Sequence, residues 1–201
     1  MPAKRGRPVD LSIEDRVRAA VLEVYAEQGW SGFTIHAVAT RSKVGKAAIY
    51  RRWPSKEVLI VETMMHHHGI STPAPNTGSV RGDLIEVAWN ELSTYLRPDG
   101  LVILRAQVEA KLYPDILGIA MERWRVFRRD SGREIIQRAI DRGELPQDVD
   151  PTLLLDAIGG MIINHFIATP EPRLAELRAN GRQLAERVTD FALAGLSSTT
   201  Q

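Results

Sequence analysis

The sequence of 201 residues predicts an all-α protein of about nine helices. Apolar residues recur at helical spacing along most of the chain, and no segment shows the alternation of apolar and polar residues that is typical of a half-buried strand. Helix starts and stops are recognisable, since Ser12 precedes one apolar face and Gly29 ends it. We expect a three-helix head at residues 1–70 and a larger helical body at residues 71–201.

Charge is distributed unevenly along the chain. Residues 1–60 contain eleven Lys or Arg and six Asp or Glu, whereas the remainder contains fifteen and nineteen, within a formal net charge of +1. A basic N-terminal end on a mildly acidic body indicates that the protein binds a polyanion through that end only. The absence of cysteine excludes disulfides, thiolate metal sites and cysteine nucleophiles, and it suits a reducing cytoplasm, which is the expected location.

The first ten residues are polar and rich in Pro and Gly, so we expect them to form a mobile arm. Arg5 and Arg7 flank Gly6, a compact arrangement that suits the DNA minor groove or a row of phosphates. The alternative is a solvated tail that binds nothing. The sequence favours neither interpretation over the other.

Residues 35–52 carry the pattern of two short helices joined by a tight turn, with Thr34 as the cap of the first helix. Ala39 and Ile49 lie ten positions apart, which is the spacing of a small and an apolar residue in helix-turn-helix units. Lys43 stands where such a turn usually has Gly, because the backbone there is left-handed. The cost of this departure is roughly 1 kcal/mol, which a folded domain tolerates.

Six cations and no acid lie within residues 34–56, namely Arg41, Lys43, Lys46, Arg51, Arg52 and Lys56. A cationic face opposite an apolar face is what a unit that reads a nucleic-acid groove needs. Arg51 and Arg52 are adjacent, so they point about 100° apart around a helix and cannot both face the groove. We expect Arg52 to face DNA and Arg51 to be solvated.

The run VGKAAIYRRWPSKEVLI at residues 44–60 resembles the signature of the TetR family of bacterial transcriptional regulators. The resemblance extends from residue 12 to about residue 61, and it rests on an apolar turn residue, a central Tyr50, an aromatic residue and the Pro-Ser-Lys-Glu that follows. The chain departs from the family at Lys43, where Gly is usual, and at Trp53, where Phe is commoner. Neither departure changes the assignment, although Lys43 puts a cation on the DNA side of the turn.

The resemblance implies that Thr34, Tyr50 and Lys56 hold phosphates. It also implies that the start of the second helix faces the bases. A phenol and an ammonium suit phosphate oxygens, which position a protein, whereas contacts to base edges supply specificity. The predicted DNA-binding residues are Thr34, Lys43, Val44, Gly45, Lys46, Ala47, Ala48, Tyr50, Arg52 and Lys56.

Three consecutive histidines, His66, His67 and His68, invite a metal interpretation. Consecutive helical positions spread over about 200° of arc, so their side chains do not converge on one ion unless the helix ends there. We predict no metal site, and the resemblance places these histidines on the route between head and body. Residues 71–79 are predicted to be a mobile linker because of their Pro, Gly and Ser content.

The body is predicted to contain helices at residues 81–96, 101–111, 114–142, 151–169 and 172–193. By the resemblance, the last two form a four-helix interface with a second copy. The candidate residues for the interface are Leu154, Ile158, Met161, Ile162, Leu177, Leu184 and Val188. The alternative is that these residues form the core of a single chain. The most apolar run, 157–168, is interrupted by two polar residues and is expected to be too short to span a membrane.

The resemblance also implies a pocket for a small-molecule effector between the middle helices. The candidates are amphipathic residues on mainly apolar surfaces: Trp89, Tyr95, Arg105, Trp124, Phe127, Asn164 and His165. Asn164 and His165 are singled out because two polar side chains buried in an apolar run would need partners. No cofactor is expected beside the unidentified effector.

The function that follows is a ligand-responsive transcriptional regulator that binds a palindromic DNA operator as a homodimer through residues 35–52. The resemblance favours repression over activation. An alternative is a DNA-binding adaptor that is regulated by a protein partner and takes no small molecule. An enzyme is not expected, because the sequence has no His-Glu-x-x-His motif, no nucleophile elbow and no Gly-rich phosphate loop.

Overall fold

The computed structural model describes residues 12–67 and 73–197, apart from the side chains of residues 67, 120, 123, 124 and 197. Within those ranges the protein is all-helical and contains nine α-helices, as the sequence predicts. The helices are α1 (Ile13–Gly32), α2 (Ile35–Ser42), α3 (Lys46–Tyr50), α4 (Lys56–His67), α5 (Val80–Tyr95), α6 (Gly100–Leu112), α7 (Ile119–Asp141), α8 (Pro151–Ala168) and α9 (Leu174–Ser197). A π-helical turn at Pro114–Gly118 precedes α7, and a 3-10 turn at Glu171–Arg173 precedes α9.

Side-chain caps fix the starts of five helices. The side chains of Ser12, Thr34, Ser55, Ser79 and Asp150 each accept a hydrogen bond from a backbone N–H in the first turn of the following helix. These bonds satisfy amide groups that have no partner inside the helix. The cap predicted at Thr34 and the helix start predicted at Ser12 are therefore confirmed.

Several helix boundaries differ from the prediction by a few residues, among them the end of α3 and the start of α7. α3 ends at Tyr50 instead of continuing to Arg52, and the next residues form a turn in which the Arg52 amide donates to the Ile49 carbonyl. The cause is Pro54, which disfavours helical backbone at the residue before it. The helix predicted from residue 114 begins with the π-helical turn and becomes regular only at Ile119.

Two helices of the body contribute residues to the hydrophobic core of the head. The core of the head is built from α1 to α4, but it also contains Val102, Ala106 and Ala110 of α6 and Met121 of α7. A second core lies between α5, α7, α8 and α9. α7 therefore runs from the head core at its start to the body core at its end. The predicted boundary between residues 70 and 71 lies outside the described residues.

A hydrogen-bonded cluster joins the end of α1 to α6. The Glu109 carboxylate accepts from the Tyr25 hydroxyl and from the Trp30 amide, both at 2.9 Å, and from Arg105 Nε at 3.0 Å. Arg105 also donates to the Ala26 carbonyl at 2.8 Å. We call these residues the α1–α6 cluster.

The α1–α6 cluster depends on a glycine. Gly29 has φ 63° and ψ −173°, a conformation that a side chain disfavours, and it interrupts α1 where the sequence predicts a stop. A Cβ at Gly29 would also collide with the Arg105 guanidinium. Trp30 and Phe33, which follow, are buried, so the expectation that they are core residues is confirmed.

The segment before α5 is held by several bonds, which corrects the prediction of a mobile linker for its described part. The Thr77 amide and hydroxyl both donate to Asp83 Oδ1, at 2.6 and 2.8 Å. Arg138 donates to the Pro75 carbonyl, and the Val80 amide donates to Glu144. Composition indicated a loop correctly, but the fully buried Asp83, one turn into the next helix, supplies the acceptor that orders it.

The whole of α8 is predominantly apolar, and not only residues 157–168, on which the membrane expectation rested. Its 18 residues, Pro151–Ala168, meet the length and composition of a membrane-crossing helix, so shortness does not exclude a membrane for it. One face of α8, formed by Leu154, Ile158, Ile162 and Phe166, is buried in the body core. A helix that is apolar all round is usually covered on more than one side.

Candidate functional site

The turn between α2 and α3 has the backbone that the sequence predicts. Lys43 has φ 55° and ψ 35°, which makes it the one non-glycine residue with positive φ among those described. The Val44 amide donates to the Ala39 carbonyl at 3.2 Å and closes the end of α2. Val44 itself is only 7% exposed, because its side chain fills the angle between the two helices. Val44 therefore supports the site and cannot offer its side chain to DNA, which corrects its place among the contact residues.

α3 presents a small, exposed surface at its start. Gly45, Lys46 and Ala47 are exposed, and Tyr50 is 50% exposed one turn later. Ala48 is half-buried against the head core, so its methyl group is less available to a base than the sequence suggests. The helix is anchored through Ile49, which is fully buried.

An open cleft brings the predicted phosphate contacts together. Its lining includes Thr34 from the start of α2, Lys46 and Tyr50 from α3, and Lys56 from the start of α4. The first turns of α2 and α4 meet at this cleft, and helix N-termini attract anions through their free amides and their dipoles. Residues distant by up to 22 positions thus form one surface that can receive a phosphate.

Several lining residues of the cleft were not predicted, among them His36, Ser55 and Glu57. His36 is exposed in the first turn of α2, and Ser55 caps α4 beside it. The signal that could have found His36 is its place two residues after the Thr34 cap, since the first turn of a helix faces whatever the cap faces. Glu57 also lines the cleft and reduces its positive charge.

The four cations predicted to face DNA have different surroundings. Lys43 and Lys46 are exposed. Lys56 is half-buried, since its Nζ donates to the Phe33 carbonyl at 3.3 Å and lies 4.2 Å from the centre of the Trp30 ring. Arg52 is exposed and lies 3.4 Å from Glu14 of α1, so its charge is partly neutralised.

The two remaining cations of residues 34–56 fit their expected roles. Arg41 is paired with Glu23 and Glu27 of α1, at 2.9 and 2.7 Å, and these carboxylates hold the pKa of its guanidinium above the usual range. Arg51 is exposed at the end of α3. The predicted arm with Arg5 and Arg7 lies outside the described residues.

A cavity of about 380 Å³ opens in the body between α5, α7 and α8. It includes two of the predicted pocket residues, Tyr95 and Phe127. The complete lining is Pro73, Ala74, Pro75, Val87, Asn90, Glu91, Ser93, Thr94, Tyr95, Arg97, Ile103, Phe127, Arg128, Ser131, Gly132, Ile135 and Leu155. Such a volume lies at the lower end of the range for small-molecule sites.

The other predicted pocket residues lie elsewhere. Arg105 belongs to the α1–α6 cluster, and Trp89 packs on α9, where a Cβ at Gly181 would be 2.7 Å from the Trp89 ring. Asn164 and His165 are exposed on α8, which corrects the expectation that they are buried. An apolar run does not show which of its faces is outside. The Trp124 side chain lies outside the described part of the structure.

The helices α8 and α9 leave an apolar surface exposed. Leu153 and Ile167 of α8 are 68% and 66% exposed, and Phe191 of α9 is 72% exposed. Gly160 lies between the first two at helical spacing, and a Cβ built on it would meet no atom within 4 Å. We call these four residues the α8–α9 face.

Five of the seven candidate interface residues, Leu154, Ile158, Ile162, Leu177 and Val188, are buried within the single chain and belong to its core, which was the alternative. Met161 and Leu184 are partly buried against the same core, and their role in an interface stays a prediction. α8 carries apolar residues on its inner and on its outer face. The interface residues chosen by helical spacing alone lie on the inner face.

α4 ends at His67, and His68 lies outside the described residues, so the three histidines cannot be compared as a group. His66 is exposed. Across residues 12–67 and 73–197 no three His, Asp or Glu side chains are grouped as metal ligands would be. The predicted role of the histidines between head and body stays a prediction.

Comparison with known protein families matches both parts of the chain. The sequence model described as "Bacterial regulatory proteins, tetR family" matches residues 17–63. The model described as "Tetracyclin repressor-like, C-terminal domain" matches residues 74–190. The second match alone covers more than half of the chain.

Relatives and solved structures agree with these matches. The chain is 29% identical over 175 residues to the uncharacterised HTH-type transcriptional regulator YdeS of Bacillus subtilis, covering 84% of this chain and 85% of YdeS. It is 29% identical over 161 residues to the DNA-binding transcriptional repressor TetR of Mycobacteroides abscessus, covering 74% and 78%. The fold is similar to that of Bacillus subtilis FadR in complex with stearoyl-CoA, with a TM-score of 0.66 at 16% identity over 90% and 98% of the two chains. The chain therefore belongs to the TetR family of transcriptional regulators, which bind DNA through a helix-turn-helix and are not enzymes.

Proposed function

We propose that the protein is a ligand-responsive repressor that binds a palindromic operator as a homodimer in the cytoplasm. The observation that carries the proposal is the cleft at the joint N-termini of α2 and α4, where Thr34, Lys46, Tyr50 and Lys56 converge. Repression is supported by the relative from Mycobacteroides abscessus, which is a DNA-binding transcriptional repressor. The proposal assigns phosphate contacts to Thr34, Tyr50 and Lys56 and base contacts to Gly45, Lys46 and Ala47.

Homodimer formation is supported by the α8–α9 face. Three large apolar side chains that are each about two-thirds exposed or more would cost free energy if they stayed in water. Gly160 lets the backbone of a second helix approach closely, and a two-fold arrangement would bring each of these residues into the interface twice. A second copy of α8 and α9 would also cover the outer face of α8, which explains its apolar composition without a membrane.

Coupling between a bound ligand and the head is supported by two connections. α7 contributes Phe127, Arg128 and Ile135 to the cavity, and its Met121 is buried in the head core. The cavity is also lined by Pro73 and its neighbours, which lie a few residues after the end of α4. A ligand that binds more tightly to one position of these elements would shift the equilibrium toward that position and so alter the separation of the two heads. The size of the shift is limited by the difference in the ligand's affinity for the two positions.

Paired substitutions in α3 test the assignment of roles at the interface. Tyr50→Phe removes a hydroxyl that donates to a phosphate, so we expect every operator sequence to be bound about 30-fold more weakly, from roughly 1 kcal/mol at each of two half-sites. Lys46→Gln should instead change which base is preferred at one position of each half-site, by about 1–3 kcal/mol. Fluorescence anisotropy with a set of single-base operator variants measures both effects.

The matched control is Lys111→Gln, which changes an exposed lysine at the end of α6, outside the head. It should leave both the affinity and the base preference unchanged. If Tyr50→Phe and Lys46→Gln weakened all operator variants in the same proportion, the division into phosphate and base contacts would be refuted.

A further inference from the structure

A carboxylate and a guanidinium lie together at the inner wall of the body cavity. Arg128 of α7 lies 3.5 Å from the Glu91 carboxylate of α5, and it also donates to the Leu155 carbonyl of α8 at 3.4 Å. The other Glu91 oxygen accepts from the Tyr95 hydroxyl at 2.9 Å. The Glu91 side chain is 12% exposed and that of Arg128 is 30% exposed, so both charges are largely removed from water.

The fold makes room for this pair. Gly159 of α8 is buried, and a Cβ there would collide with the Arg128 guanidinium and lie 3.0 Å from the Glu91 carboxylate. The pair is thus packed between α5, α7 and α8, and both of its residues line the cavity. Arg97, a further charged lining residue, forms two hydrogen bonds of 3.0 Å with Asp99 and is half-exposed.

The rest of the lining is uncharged. Most of its surface is apolar and includes Val87, Ile103, Phe127, Ile135 and Leu155. The polar remainder comes from Asn90, Ser93, Thr94 and Ser131. The volume of about 380 Å³ has room for on the order of a dozen non-hydrogen atoms, because a water molecule occupies about 30 Å³ in the liquid. A ligand of this size would be apolar over most of its surface and polar at the end that meets the pair.

A charged ligand gains little from the pair. An anion that approaches Arg128 also approaches Glu91, and a cation that approaches Glu91 also approaches Arg128, so attraction and repulsion largely offset each other. The ion would still lose its hydration on entering the cavity. A neutral group that both donates and accepts can bond to Glu91 and Arg128 together without this penalty.

We propose that the cavity binds a small uncharged molecule with an apolar body and a polar head carrying both a donor and an acceptor, as in a carboxamide. In this proposal, Glu91 and Arg128 select against ions. Glu91 accepts from the head and Arg128 donates to it. The inference rests on the proposed ligand response and names the class of ligand for that same site.

Four naphthalene compounds that differ only in their head test the selection by charge. The full chain is dialysed to equilibrium against 2-naphthamide, 2-naphthoate, 2-naphthylmethylammonium and 2-methylnaphthalene. We expect the amide to bind at least about tenfold more tightly than each of the others, which corresponds to about one charge-assisted hydrogen bond. Tighter binding of the naphthoate or the ammonium, or binding of none of the four, would overturn the proposal.

Two substitutions are expected to change which of the four compounds binds most tightly. Glu91→Gln removes the negative charge that faces the cavity beside Arg128, so the naphthoate should become the tightest ligand by about tenfold. Arg128→Met leaves the Glu91 charge, so the ammonium should become the tightest. The matched control is Glu86→Gln, which changes a carboxylate of the same helix that pairs with Arg182 on the outer surface, and it should retain the amide preference.

Operator binding and the oligomeric state are measured on the same preparations. If the protein binds the operator as a dimer but does not prefer the amide, the proposed class of ligand is overturned and the DNA-binding proposal stands. If the amide is preferred but does not release the operator, the cavity proposal stands and the ligand response fails. A variant that does not fold leaves the order of the four compounds on the unchanged protein as the deciding result.

Discussion

Phe191→Asp should convert the protein from a dimer to a folded monomer and lower its affinity for a palindromic operator by about 10²–10⁴-fold. The Phe191 side chain is 72% exposed in the single chain, so its replacement should leave the body core intact. A carboxylate within the two-fold interface proposed for the α8–α9 face would be buried twice without a partner. Two heads that are no longer joined lose the effective concentration that one bound head gives the other.

Leu112→Asp is the matched control for this substitution. Leu112 of α6 is 69% exposed, close to the 72% of Phe191, but α6 packs on α1, α5 and α7. The control should remain dimeric by analytical ultracentrifugation and keep its operator affinity. A monomer produced by Leu112→Asp, together with a dimer that survives Phe191→Asp, would place the interface on α6 and refute the assignment to the α8–α9 face.

Glu109→Ala should destabilise the protein by about 2–5 kcal/mol, because it removes the acceptor at the centre of the α1–α6 cluster. The Tyr25 hydroxyl is fully buried and the Trp30 residue is 5% exposed, so neither donor gains water in exchange. Each buried donor that is left without a partner costs about 1–3 kcal/mol. The free energy of unfolding by urea measures the loss.

The control for Glu109→Ala is Glu23→Ala on α1. Glu23 forms an exposed pair with Arg41, which keeps its second partner, so the expected change is within about 0.5 kcal/mol. Equal effects of the two substitutions would mean that the α1–α6 cluster is no more than a surface contact.

The α1–α6 cluster also makes the free energy of unfolding depend on pH. Burial raises the pKa of Glu109, but hydrogen bonds from the Trp30 amide, Arg105 and Tyr25 outweigh it, so the pKa lies below its usual value. A carboxyl whose pKa is lower in the folded state stabilises the protein above its unfolded pKa, and this contribution is lost as the pH falls through the folded pKa. Burial and Glu109 also raise the pKa of Tyr25 above its usual range, so its hydroxyl stays a donor.

Local signals predicted the head of this protein well. The cap at Thr34, the spacing of Ala39 and Ile49, and the left-handed Lys43 all depend on neighbours within about ten residues, and the structure agrees with each of them. A turn and two short helices are specified by such short-range chemistry. The end of α3 was placed two residues late because the effect of Pro54 on the residues before it was underestimated.

The body was predicted less completely because its faces are decided by distant partners. Periodicity identified α8 as amphipathic but could not say that Leu154 faces inward while Leu153 faces outward. The pairing of Glu91 with Arg128 joins residues on separate helices, and nothing in the local pattern indicates it. Arg105 was assigned to a pocket although its partners, Ala26 and Glu109, lie at the junction with the head.

Selection of bound DNA from a random pool tests the central claim most directly. A dimer with two recognition helices should enrich an inverted repeat whose half-sites are centred about 10–10.5 base pairs apart, or a multiple of that, since these distances match successive turns of the duplex. The Phe191→Asp protein should lose the repeat under the same conditions. Enrichment of a single unrepeated half-site by the unchanged protein, or of no sequence at all, would contradict the account of a dimeric operator-binding repressor.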